Sequence, residues 1–545
     1  MRPRSGVAGV ALTAALLAAS VPSGHAASAQ RPAAPTRTGD VSTLVIASDF
    51  SDAKSLDPGR SYEYGGSPPL GAAYDSLVYH QGTDTAHLRG RLATSWEVSG
   101  GGATFTFHLH HGVTFANGDP LTAADVVFSY QRLYNLKDNP EGLIDNLKSV
   151  SALDPYTVRM VTKTPDVSLL AAITGPNFGI LDSKAARAEG ATAAANAATA
   201  DHATAYLNGH SLGSGPYILT TWTPNQQMVL VRNSHYWGPR PAFAKIIFRE
   251  TKDPATQKLL VQSGDADVAL QLGFDQTRGL QGSPGVVVDR SGTLDYLYAA
   301  MTTNPSVSKP LSNPKVQQAV RAAIDYDGLI KGLLDGAAIR PATVIPINLI
   351  GSDPATNAAN RAAYNPARAR QLLAQAGYPN GFAVTLTYGA GFVFDGANFD
   401  LVAQVVQHDL ASVGIRATLN PEPFALALKD FRAQKTQFGL WPWSADYPDP
   451  QDNMAYFGPN GRVARRVFYN GQPQLAALIA RADQVGDATT RAALYRRIIA
   501  QMAGTSPYVV LAQPQKEIAH RANLHGFIYS PDILYDLRGA NKTAS

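Results

Sequence analysis

The ten residues Trp441-Pro442-Trp443-Ser444-Ala445-Asp446-Tyr447-Pro448-Asp449-Pro450 gather two indoles, a phenol and two carboxylates into one short stretch. The alternating run Thr436–Leu440 before them predicts a short strand entering the core. The prolines on either side of Asp449 cannot continue a central strand, so the backbone is expected to leave the sheet here. That exit would deliver the aromatic rings and Asp446 to a sheet edge or crevice, where open α/β proteins hold ligands. A carboxylate walled by aromatics suits a cation such as an ammonium group, through charge pairing and cation–π attraction. The competing reading is a proline-rich turn whose aromatics belong to the core.

Other residues with chemical potential are less well placed. Gly209-His210-Ser211-Leu212-Gly213 matches the G-x-S-x-G elbow of serine esterases, which requires a strand before the serine and a helix after it. Here an alanine-rich, helix-prone stretch precedes and a strand pattern follows, so the order is reversed. His108 and His110 would share one strand face while His111 points away, and no third metal ligand converges on them. Asp446, Asp449 and Asp452 lack the glycine and closing glutamate of a calcium loop, and Asp449 is better placed to cap a turn. No phosphate loop, dinucleotide fingerprint or metalloprotease helix is present. The expectation is a protein without catalytic residues, cofactor or bound metal.

The 545 residues allow more than one domain. Hydrophobic residues at 45% and charged residues at 16% describe an ordinary folded chain. The net charge of +4 is spread without a basic block, so no nucleic-acid partner is expected. Arg2 and Arg4, the apolar run Val7–Ala19 and Ala27-Ser28-Ala29 predict a signal peptide over 1–29, with Ala26 an alternative cleavage point. Residues 30–40 read as a flexible leader. The sequence has no cysteine, which excludes disulfides, thiolate metal sites, a cysteine nucleophile and a lipid anchor on cysteine.

The elements that must carry the site alternate between strand and helix. Leu44–Ala47 and Thr104–Leu109 read as strands, Leu70–Tyr79 as helical, and Thr122 with Asp125 as the capping box of a helix running through Tyr134. Lys315–Leu334, Ala367–Ala376, Phe399–Val413, Gln474–Asp483 and Thr490–Met502 carry helical spacing, and Ala383–Tyr388 alternates as a strand. Ala185–Ala205 is alanine-rich, a solvated helix or surface insert.

Several of these segments carry a resemblance. Leu92–Trp96, Phe107–Pro120 and Leu121–Tyr130 look like the peptide- and nickel-binding receptors of ABC importers, solute-binding protein family 5. Gly213–Tyr217, Arg232–Gly238, Ser263–Asp267, Val316–Asp325, Tyr364–Pro366, Leu372–Pro379 and Ala445–Pro450 follow in the family's order and cover nearly all of the chain after the leader.

The resemblance implies an α/β, two-lobed periplasmic-binding-protein fold with discontinuous lobes and an additional α/β subdomain. Lobe I would comprise 41–77, 191–300 and 506–545, the subdomain 78–190 and lobe II 301–505. It implies an exported, extracytoplasmic monomer that captures an oligopeptide or peptide-like solute and hands it to the permease subunits of an ABC importer. Asp446 would take the ligand's α-ammonium, and Trp443, Ser444 and Ala445 would present backbone groups to an extended peptide, with Tyr447 beside them. Pro442 departs from the glycine common in the family and removes one main-chain donor. Across the cleft Tyr64 is expected as a wall and Glu63 as a polar contact. Trp441, Phe392 and Phe394 are candidate pocket residues, with core packing as their competing role. No arginine or lysine stands out as partner for a ligand carboxylate. Two alternatives keep their place: the same fold serving a nickel chelate or a specialised amino-containing metabolite, and an exported serine esterase using Ser211.

Overall fold

A computed structural model describes residues 40–544. The expected signal peptide and all but the last residue of the expected leader lie outside the described residues. Within them, helices and strands alternate along the chain, as the sequence patterns require.

A twelve-stranded sheet organises the molecule around one long strand, Tyr508–Arg521. The first half of that strand pairs antiparallel with Tyr296–Met301, which in turn pairs with Phe438–Trp443. Ala383–Gly389 and Arg416–Glu422 continue the sheet on that side in parallel. The second half of the long strand pairs with Val286–Gly292 and Val268–Ala269. Beyond Val268–Ala269 lies Thr43–Ser48, buried at all six positions because parallel neighbours flank it on both sides. Two hydrophobic cores follow this division, one around Leu386, Val406 and Leu440, the other around Ile46, Leu230 and Phe248.

A separate four-stranded antiparallel sheet contains Thr104–Leu109 and packs under the helix Ala123–Leu136. That helix begins with the reciprocal Thr122–Asp125 box the sequence predicts. Its Arg132 is fully buried between Asp57 at 2.6 Å and Asp201 at 2.7 Å. This triad ties down the turn that feeds Ser61–Tyr64 and so fixes the start of that loop.

Three local expectations need correction. Helix Ser67–Ala73 ends well before Tyr79, which lies in the strand Val78–Gln81. Lys315–Leu334 is interrupted: the helix Pro314–Ala323 stops, and Asp325 caps a fresh turn by accepting from Gly328 N–H at 2.9 Å. The strand before the aromatic turn runs on through Pro442 to Trp443. Proline is tolerated there because Ala383–Gly389 pairs only with Phe438 and Gly439, so one side of the strand is already free.

Candidate functional site

The strand Phe438–Trp443 places Trp443 opposite Tyr296, which sets Ser444 abreast of Asp295. Beyond Ser444 the chain turns, and Asp449 holds the turn in two ways. It caps the helix Pro450–Phe457 by accepting from Gln451 N–H at 2.8 Å. It also receives both arms of the Arg491 guanidinium, at 2.5 and 2.7 Å.

Nearby Asp483 is pushed up to about 7, by burial first and then by the charge of Asp449. A raised carboxyl favours the folded state while protonated; that advantage is complete below the unfolded pKa and lost as pH rises through 7. Asp483→Asn is therefore expected to raise the thermal midpoint by a few degrees at pH about 8 and to leave it unchanged at pH about 4. A calorimetric scan at both pH values checks this, and an equal shift at both would refute it.

Asp446 lies where the turn opens. Its two carboxylate oxygens accept from the Tyr62 hydroxyl at 2.6 Å and the Tyr456 hydroxyl at 3.1 Å. Its N–H donates to Asp452 Oδ2 at 3.3 Å. Burial raises the Asp446 pKa, the two hydroxyls and the Arg462 charge opposing it. Asp452 is pushed further up, by burial and then by the charge of Asp446. Among the described residues no arginine, lysine or histidine forms an ion pair with Asp446. Asp145, Asp166, Asp446 and Asp452 share a cavity of about 260 Å³ with Arg462. The excess of negative charge suits a cation.

A larger cavity of about 470 Å³ lies beside Ser444, lined also by Tyr64, Asp295, Phe392, Phe394 and Lys516. Phe392 is held in place by stacking on Phe424 at 4.4 Å. The structure thus brings together Tyr64, Phe392, Phe394 and Ser444 around one space, and Asp446 and Tyr447 around the adjoining one. Tyr447 bonds to the Gln451 side chain. Trp443 is half-buried, edge-on to Tyr456 and Phe457 at 4.6 and 4.7 Å, and Ala445 packs on the same core. Trp441 is 2% exposed and stacked on Phe431 at 4.4 Å, away from both cavities. Glu63 pairs with Lys54 at 3.1 Å and lines neither cavity.

Tyr62, Asp295, Asp395 and Lys516 also line these cavities, though none of them is a candidate ligand contact in the sequence. Tyr62 sits in the same loop as Tyr64, and only the loop's path decides which phenol reaches Asp446. Asp395 adjoins Phe394, while Asp295 and Lys516 come from distant segments. Ser211 spends its hydroxyl accepting from Leu219 N–H at 2.9 Å, in a turn that leads from the helix Thr204–Leu207 into the strand Tyr217–Thr223. His110 and His111 face different rings, Trp237 and Tyr156. Among the described residues no three histidines, aspartates or glutamates are grouped to hold a metal, and no helix is long and apolar enough to cross a membrane.

Comparison with known proteins gives this geometry a context. Residues 87–464 match the model of the bacterial extracellular solute-binding proteins, family 5. The chain is 26% identical over 497 residues to a probable D,D-dipeptide-binding periplasmic protein of Escherichia coli K12, covering 90% of this chain and 92% of the relative. It is 26% identical over 466 residues to the glutathione-binding protein of Shigella dysenteriae, covering 83% and 86% respectively. Among solved structures it resembles the ABC transporter-associated periplasmic binding protein DppA from Helicobacter pylori in complex with the peptide STSA. That match has a TM-score of 0.70 at 25% identity, over 92% of this chain and 98% of the other.

Proposed function

The chain belongs to the bacterial extracellular solute-binding proteins of family 5, and from that premise we propose that it captures an oligopeptide or peptide-like solute for an ABC importer, with Asp446 holding the ligand's α-ammonium. The observation that carries this reading is a half-buried carboxylate bonded only to two tyrosine hydroxyls. Both Tyr62 and Tyr456 donate to it, which leaves its charge uncompensated. An ammonium arriving there completes a charge-assisted pair inside a cavity that already favours cations. Ser444 flanks the path of an extended ligand, Trp443 supports it from the core beneath, and Tyr64, Phe392 and Phe394 offer walls for the ligand's side chains. Relatives named for dipeptides and glutathione, and a neighbour holding a tetrapeptide, support a peptide-like solute.

Capture follows from the sheet. The chain passes from one half to the other between Gly292 and Tyr296, and the long strand passes near Gln513 and Pro514. Thr293 bonds to both, its hydroxyl donating to Pro514 O at 2.7 Å and its carbonyl accepting from Gln513 Nε2 at 2.6 Å. These adjoining crossings form the hinge about which the lobes close. The cavities lie where segments of both lobes meet, so closure would enclose the solute without covalent chemistry.

N-acetylation of a peptide ligand removes the ammonium and keeps the rest, and it is expected to weaken binding by more than about tenfold. Titration calorimetry with matched free and acetylated tripeptides reads this directly, and equal affinities would remove Asp446 from the proposed role.

A further inference from the structure

The larger cavity is one positive charge short. Lys516 Nζ bonds to Asp395 Oδ1 at 2.8 Å, and the Asp395 side chain is only 5% exposed. Its other oxygen, Oδ2, is buried with no hydrogen-bond donor among the described residues. The group it meets is a second carboxyl, Asp295. One lysine therefore stands against two acids. Tyr64, Tyr529 and Tyr535 are the other titratable groups around this cluster, and all three are phenols. The remaining charged groups on the cavity wall are Asp49 and Asp52, so Lys516 is the wall's one cation.

Burial and the charge of Asp395 push Asp295 well above the carboxylate range, while Lys516 keeps Asp395 low. A carboxyl held up by burial and a like charge comes down again when a cation docks beside it. A ligand carboxylate on Lys516 would instead have to displace Asp395 and enter a wall of like charge.

We infer that the solute carries a second cationic group, an ammonium or guanidinium, and that Asp295 and Asp395 receive it. The inference rests on the Asp446 reading only for where the first ammonium sits. Asp295 is abreast of Ser444, and Ser444 lies two residues from Asp446, a chain separation of at most ~7 Å. The two charges thus belong to one end of the ligand, as in a peptide with a basic residue near its amino terminus. When the second cation docks, the Asp295 proton passes to solvent and two carboxylates face two cations.

The test uses the full chain and tripeptides carrying lysine at position one, two or three, each beside its uncharged norleucine twin. Calorimetry near neutral pH, in two buffers of different ionisation enthalpy, reads affinity and proton exchange together. At one position the lysyl peptide is expected to bind at least about tenfold tighter than its twin, with release of about one proton. Asp295→Asn, which imitates the protonated acid and so should fold, is expected to bring the twins to within about twofold. Equal binding of every pair overturns the inference; if acetylation still weakens those peptides, the Asp446 reading stands without it. A lysyl preference indifferent to acetylation keeps the inference and removes the Asp446 anchor. A preference without proton release in the unaltered protein removes Asp295 as receiver, and binding of no peptide at all removes both readings.

Discussion

Asp446→Asn is expected to weaken binding of a free peptide by about two to four orders of magnitude. Removing one partner of a buried pair leaves the other charge desolvated and unpaired, at a cost on the order of 3–5 kcal/mol, and about 1.4 kcal/mol corresponds to tenfold in affinity. Asparagine keeps the shape of the side chain and still accepts from the Tyr62 or Tyr456 hydroxyl, so the loss isolates the charge. The unliganded protein should respond in the opposite sense. Because burial raises the Asp446 pKa, its ionised form works against folding at neutral pH. That burden is absent below the unfolded pKa and grows as pH rises through the raised folded value. Asp446→Asn should therefore be at least as heat-stable as the parent at pH about 7, and equal to it at pH about 3. Calorimetric titration paired with thermal melting distinguishes this from simple unfolding. A variant that binds as the parent does, or that loses binding only because it melts early, contradicts the assignment.

What the sequence made legible at this site was the local chemistry. The aromatic turn was visible because tryptophan, proline and aspartate are uncommon neighbours whose conformational preferences agree. The capping box at Thr122 was visible because its two partners are three residues apart. Features fixed by partners elsewhere were not. Whether Trp441 faces a ligand or the core depends on Phe431, and the structure stacks the two rings at 4.4 Å. The persistence of the strand through Pro442 depends on where a neighbouring strand stops pairing. Lys516 lies in a run that is almost wholly buried, where a lysine looks out of place until Asp395, 121 residues away, is brought to it. Local pattern specifies the elements, and tertiary pairing decides which of their side chains face the cavity.

Arg491→Met is expected to produce the largest loss of stability near the site. Arg491 and Asp449 are 7% and 8% exposed at the side chain, and the guanidinium makes two bonds to the carboxylate as well as one to Ala482 O at 3.0 Å. Without it Asp449 becomes a buried, uncompensated charge beside Asp483, whose own pKa its field already raises. The cost is on the order of 3–5 kcal/mol, a drop in thermal midpoint of about 2–4 °C for each kcal/mol in a large domain. Peptide affinity should fall as well, because Asp449 both caps the helix that carries Tyr456 and closes the turn that presents Asp446. Asp449→Asn alone should be milder, since asparagine retains the cap and Arg491 keeps its bond to Ala482. The double variant Asp449→Asn with Arg491→Met removes both charges and should regain most of what Arg491→Met loses. Such a cycle separates the buried charge from the packing of a long side chain. If the double variant melts no higher than Arg491→Met, the defect is lost packing around the helix Ala488–Thr505, and electrostatic control of the turn is wrong.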